Sequence, residues 1–96
     1  MPDITFSDDP LETRKRKARF RAWHRGTREA DLLVGGFADR ELVGFGEADL
    51  ELFEALLSEA DADIVQWVTG ALAVPAHQEN AVVRRMIEQA RSSSTI

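Results

Sequence analysis

Apolar residues along this chain recur at helical spacing, and no stretch shows the long alternation of a strand. Asp9-Pro10 opens the first predicted helix, with Asp as N-cap and Pro at the first helical position. The helix runs to about His24. Leu11, Ala18, Ala22 and the pair Phe20/Trp23 supply its apolar surface, and Arg14, Lys15, Arg16, Lys17, Arg19 and Arg21 cover the rest. Gly26 ends it, because glycine tolerates the left-handed turn that closes a helix. Thr27 then caps a second helix, with Glu29 and Asp31 near its positive end. Leu32, Leu33 and Phe37 share its apolar face, with Val34 beside them.

Gly35 and Gly36 weaken that second helix by about 1 kcal/mol each relative to Ala, so they read as packing positions where another backbone approaches closely. Residues 39–46 read as a connector. A third helix is expected over 47–59, where Leu50, Phe53 and Leu57 repeat and Leu56 widens the stripe. Asp61 caps a fourth over 62–69, with Ile64, Trp67 and Val68 on one face and Gly70 as its stop. A fifth, over 76–91, places Val82, Val83, Met86, Ile87 and Ala90 at core spacing. Phe20, Phe53, Trp23 and Trp67 are assigned to the core, the two tryptophans having an interface role as their alternative. The expected fold is all-α, a compact bundle of about five short helices over 9–91. Residues 1–8 are expected to be a mobile arm and 92–96 a frayed tail.

With 96 residues, the chain has room for one domain. It has no cysteine, which excludes disulfides, cysteine-type zinc sites and thiol catalysis. No apolar run approaches the ~20 residues of a membrane span. The acidic start resembles neither a secretory signal nor a mitochondrial presequence, so a bacterial cytoplasmic location without membrane insertion is expected. The net charge of −5 hides a division. Residues 1–28 sum to +4, residues 29–63 to −10 and residues 64–96 to +1.

Catalytic patterns are missing. GGF and GFG lack dinucleotide-loop spacing, His24 and His77 form no ligand pattern, and no serine has a nucleophile context. The reading is a non-enzymatic protein with no catalytic residue, no metal and no stably bound cofactor.

The informative stretch is the corner between the first two helices, WHRGTREADLL. Gly26 lets a partner approach the backbone closely, and Arg25 offers a planar donor fork to a carboxylate or carbonyl. Glu29 can orient Arg25 or Arg28, or accept a donor across an interface; His24 lies beside the corner. From spacing alone, ordinary helix capping is the commoner reason for an Arg and a Glu at these places.

WHRGTREADLL resembles the RGxxE segment of the SdhE/Sdh5 family of FAD assembly factors, with Arg25, Gly26 and Glu29 on the motif positions and Asp31 on the acid that follows. The LLxGxF-like Leu32–Phe37, the LxxFExLL pattern at Leu50–Leu57 and the Asp61–Trp67 segment are also similar to this family. The resemblance implies a chaperone that binds the flavoprotein subunit of succinate dehydrogenase, with fumarate reductase as a further client, and promotes covalent attachment of FAD. The FAD then belongs to the partner. Arg25, Gly26, Glu29, Arg28, Asp31 and His24 are the implied contact residues, and the free protein is expected to be a monomer. The alternative is a small helical nucleic-acid-binding or adaptor module using the basic stripe 14–28. A sequence pI of about 4.9 and the acidic middle weigh against phosphate binding.

Overall fold

The first helix begins where Asp9-Pro10 places it: the Asp9 carboxylate accepts the Leu11 N–H at 3.0 Å, and Pro10 occupies the first position. In the computed structural model, which describes residues 9–93, five α-helices follow one another. They are α1 (Pro10–Trp23), α2 (Arg28–Glu41), α3 (Glu47–Leu57), α4 (Asp61–Thr69) and α5 (Ala81–Ser93). Short 3-10 turns lie at Leu42–Gly44 and Ala76–Gln78, and no strand occurs among the described residues. The all-α expectation is met. The expected arm at 1–8 and residues 94–96 of the tail lie outside the described residues, and residues 92 and 93 are the last of α5.

Four boundaries differ from expectation, the first being that of α3, which ends at Leu57 and not at 59. Residues 39–41, assigned to a connector, form the last turn of α2 because their polar side chains occupy its outer face while Ala38 and Leu42 stay in the core. Asp61 is the first residue of α4, not its cap, since its carboxylate is engaged elsewhere. The fifth helix starts at Ala81, not 76: Asn80 accepts the Val83 N–H at 2.9 Å and acts as a cap the sequence reading passed over. Gly70 closes α4 at φ 85°, as expected.

The buried stripe of α1 is Leu11, Lys15, Ala18 and Ala22, at helical spacing. Lys15 contributes its aliphatic stem and carries its ammonium to the Val43 carbonyl, 3.4 Å away. Phe20 lies on the opposite side and is 64% exposed, which corrects its assignment to the core. On α2 the buried positions are Ala30, Val34, Gly35, Phe37 and Ala38; Leu32 is exposed, again against expectation. Phe37, Phe45 and Phe53 form a mutual cluster with ring centroids 5.8–6.2 Å apart. Leu50, Leu56, Ile64, Trp67, Val82, Val83 and Met86 complete the core around it.

The crossing of α1 and α2 depends on Gly35. A Cβ at that position would sit 2.5 Å from Cε2 of Trp23, inside the indole's van der Waals envelope. The neighbour is a side chain, so the packing role expected of Gly35 holds with an indole in place of a second backbone. Trp23 is half-buried, and its indole N–H donates to Asp39 at 3.2 Å. Arg19 donates to the same carboxylate oxygen at 2.6 Å. These two donors hold the Asp39 carboxyl below the usual carboxylate range.

Two outcomes follow from this crossing. Gly35→Ala lowers thermal stability by about 1–3 kcal/mol through overpacking against Trp23. Gly36→Ala, whose nearest neighbour is the movable tip of Arg40 at 3.4 Å, raises stability by up to about 1 kcal/mol; circular-dichroism melts of both variants check the contrast. Because Asp39 is depressed in the folded state, the stability it contributes is present above about pH 4 and is lost as pH falls through its lowered value. Asp39→Asn therefore flattens the acid limb of a stability-versus-pH curve measured by urea denaturation.

Candidate functional site

The corner between α1 and α2 is four residues of chain, His24 to Thr27, between Trp23 and Arg28. His24 caps the end of α1, its backbone N–H donating to Arg21 O at 3.3 Å. Gly26 follows with φ +117°, a conformation side-chain-bearing residues rarely adopt. Thr27 caps α2 as expected, its hydroxyl accepting the Ala30 N–H at 3.2 Å.

Arg25 turns inward. Its Nε donates to Asp61 Oδ1 at 2.7 Å, its Nη1 to the Leu57 carbonyl at 2.5 Å and its Nη2 to the Glu59 carbonyl at 2.5 Å. Its side chain is only 8% exposed. The Arg25 backbone N–H donates to Asp31 Oδ1 at 2.6 Å. The expectation that Arg25 offers its donor fork outwards is therefore corrected: the fork closes on the chain's own acceptors. The reason is electrostatic. The Leu57 carbonyl, at the negative end of α3, and the Glu59 carbonyl in the loop after it need donors, while Asp61 adds a full charge. A guanidinium placed between them satisfies all three acceptors in one plane. Asp31 is likewise used internally.

The other expected site residues face out. His24, Gly26, Arg28 and Glu29 are exposed, as is Thr27. An open groove beside the corner is lined by Thr27, Glu29, Asp61, Ala62, Val65 and Gln66. Among the described residues, no carboxylate is within ion-pair distance of Arg28, and Glu29 has no cation in reach. The corner thus brings together a polar, outward strip of His24, Gly26, Thr27, Arg28 and Glu29 over an internal anchor of Arg25, Asp31 and Asp61.

The loop that receives Arg25 is itself braced. The Glu59 side chain accepts Gln78 Nε2 at 2.8 Å and lies 2.9 Å from His77 Nε2. These contacts, Gln78 first, hold the Glu59 carboxyl below its usual value. Asp61 is the residue whose role sequence reasoning missed. Its acidic type and its place at the start of α4 suggested a cap, and only the tertiary approach of Arg25 shows its use. No group of three His, Asp or Glu side chains that could hold a metal occurs among the described residues, and none of their helices is long and apolar enough to cross a membrane.

These features define a class: short all-α proteins whose first interhelical corner is fixed by a buried arginine and presented to solvent by a glycine. Residues 16–90 match the Sdh5 family, described as the flavinator of succinate dehydrogenase, and the chain belongs to that family. It is 35% identical over 85 residues to the FAD assembly factor SdhE of Acetobacter pasteurianus, covering 88% of this chain and 78% of that one. It is 36% identical over 66 residues to the mitochondrial succinate dehydrogenase assembly factor 2 of Saccharomyces cerevisiae strain S288c, covering 69% of this chain and 41% of the yeast protein. A similar relative from Mycosarcoma maydis is 40% identical over 65 residues, 68% of this chain and 27% of that one. The chain thus spans less than half the length of these mitochondrial relatives.

The anchor gives a sharp stability outcome. Arg25→Ala leaves Asp61 and two carbonyls without their donor and costs about 3–5 kcal/mol, a large share of a small domain's stability. Arg25→Lys keeps the charge but lacks the planar fork and recovers less than half of that loss. Urea unfolding followed by helical ellipticity measures both.

Proposed function

We propose that this chain is an assembly factor that docks on the flavoprotein subunit of succinate dehydrogenase and promotes covalent attachment of FAD to it. Family membership supports the flavin-attachment role. The observation that carries the docking mode is the corner itself, held from inside by Arg25 and open outside at His24, Gly26, Thr27, Arg28 and Glu29.

The flavin supplies the bond-forming chemistry on the partner. This chain contributes affinity for the partner conformation in which attachment proceeds, and a binder can shift that equilibrium only by its differential affinity. In this reading it is not an enzyme, holds no FAD of its own, acts in the bacterial cytoplasm as a monomer, and has fumarate reductase as a second client. Arg25 and Asp31 act as positioning residues, while Gly26, Arg28, Glu29 and His24 make the contact.

Gly26 is a poor test of docking by itself. Its φ of +117° strains any side chain, and a Cβ would lie 3.4 Å from Asp61 Oδ2. Glu29→Lys is the cleaner variant, because Glu29 is exposed, makes no ion pair among the described residues, and contributes only the small dipole effect of an acid in the first turn of α2. In a strain lacking the chromosomal copy, the denatured flavoprotein subunit is expected to lose its ultraviolet flavin fluorescence. The wild-type chain restores it, and Glu29→Lys restores one tenth or less at equal expression, with thermal stability lowered by no more than about 1 kcal/mol. Undiminished fluorescence in the deletion strain would overturn the function. Full restoration by Glu29→Lys together with Arg28→Ala would overturn the corner as the contact.

A further inference from the structure

α1 divides its cations between two faces. Arg14 donates to Glu54 at 2.7 Å, Lys15 sits 3.7 Å from Glu12, and Arg19 donates to Asp39 at 2.6 Å. Arg16, Lys17 and Arg21 point the other way. Arg16 reaches only the Thr13 hydroxyl at 3.4 Å, and no carboxylate is in ion-pair reach of any of these three among the described residues.

Phe20 lies in the middle of this unpaired set. Its ring stacks on His24, with centroids 4.0 Å apart and planes 20° from parallel. His24 Nδ1 is 2.7 Å from the Phe20 carbonyl oxygen, so the Nδ1–H tautomer donates to it and fixes the imidazole. Thr13, Arg16, Lys17, Phe20 and Arg21 enclose an open, largely apolar concavity, walled by aliphatic stems and rimmed by charge. A lone exposed apolar side chain carries no meaning. A ring held by stacking inside a rim of unpaired cations, continuous through His24 with the docking corner, is different.

We infer that this face of α1 is a second contact of the docking surface and takes an acidic stretch of the flavoprotein subunit, one bearing an apolar or aromatic side chain flanked by carboxylates. The inference rests on the docking reading above. The apolar side chain fills the concavity against Phe20, and the carboxylates meet Arg16, Lys17 and Arg21, whose charges have no partner within the chain. A nucleic acid fits less well. Three cations on one short helix face, in a chain of net charge −5 with unpaired Glu29 at the end of the same strip, give phosphates a weak and interrupted track. A second copy of this chain also fits less well, because most of its acidic middle is already engaged: Asp31, Asp39, Glu41, Glu47, Glu54, Glu59 and Asp61 all accept internal donors.

The test measures binding of the purified full chain to the purified flavoprotein subunit at low and high salt. Phe20→Ala is expected to weaken affinity about tenfold or more, as loss of an aromatic anchor does. The double variant Lys17→Gln/Arg21→Gln is expected to slow association and flatten its salt dependence. Neither changes the melting temperature appreciably, since neither side chain set supports the core. Glu29→Lys is measured alongside. Wild-type affinity and salt slope in both α1 variants, with Glu29→Lys impaired, overturns this inference and leaves the docking reading standing. Absence of binding by the wild-type chain overturns both. Binding of a short single-stranded oligonucleotide that the α1 substitutions abolish assigns the face to nucleic acid, and self-association abolished by Phe20→Ala with client binding intact assigns it to a second copy; either result also overturns the inference.

Discussion

One guanidinium ties the molecule together at its corner. Arg25 joins the end of α1 to the last carbonyl of α3, the loop after it and the first residue of α4, all within hydrogen-bond distance. Each acceptor alone would be a poor thing to leave dry. Unsatisfied carbonyls at a helix end and a half-buried carboxylate each cost free energy when deprived of water. Arg25 removes these penalties together, and its own charge is compensated by Asp61 and by the negative end of α3. The backbone N–H of the same residue is fixed by Asp31, so the start of α2 is drawn into the same junction. The geometry of the corner follows from this junction more than from hydrophobic packing, since its outward strip buries little.

The uneven charge along the chain acquires a structural sense from the same logic. A basic first helix beside an acidic middle looks like two separate surfaces, yet Arg14, Arg19 and Arg25 reach across to Glu54, Asp39 and Asp61. Much of the polarity is therefore neutralised between helices, where exposed pairs contribute modestly and the half-buried Arg25 pair contributes more. Among the described residues, the cations Arg16, Lys17 and Arg21 on the outer side of α1 and the corner residues Arg28 and Glu29 have no ion-pair partner. An interface that relies on charge for orientation is served by this arrangement, because the internal pairing removes competing positive potential elsewhere.

Much of the fold was legible because local signals agreed with one another. Asp9-Pro10, Thr27 and Gly70 act as read, and the stripes of α3, α4 and α5 bury the residues their spacing selects. The misplacing of Phe20 and Leu32 has one cause: size was taken as a guide where period should have been. Leu11, Lys15, Ala18 and Ala22 form the buried stripe of α1, although two are alanines and one a lysine, and Phe20 lies opposite them. Leu32 failed in the same way beside the smaller Val34. The site was half legible. Gly26, Thr27 and the exposed Glu29 were visible locally, but the inward turn of Arg25 depends on Asp61, thirty-six residues away, and on carbonyls that carry no sequence signature.

That inward turn separates two kinds of residue within one short motif. The fold alone requires Arg25 for its three acceptors, Gly26 for a backbone angle closed to other residues, and Asp31 for the Arg25 N–H. Their presence would be explained in a protein that bound nothing. The side chains of Glu29, Arg28 and His24 have no comparable structural duty: the first two make no ion pair among the described residues, and the His24 ring packs on Phe20, itself exposed. A functional reading of the corner therefore rests on these outward residues, with the inner set making them rigid. Rigidity matters for a binding protein because side chains and backbone already ordered in the free state lose less entropy on association. The buried arginine thus acts on docking indirectly, by holding Gly26 to Glu29 in one conformation before a partner arrives.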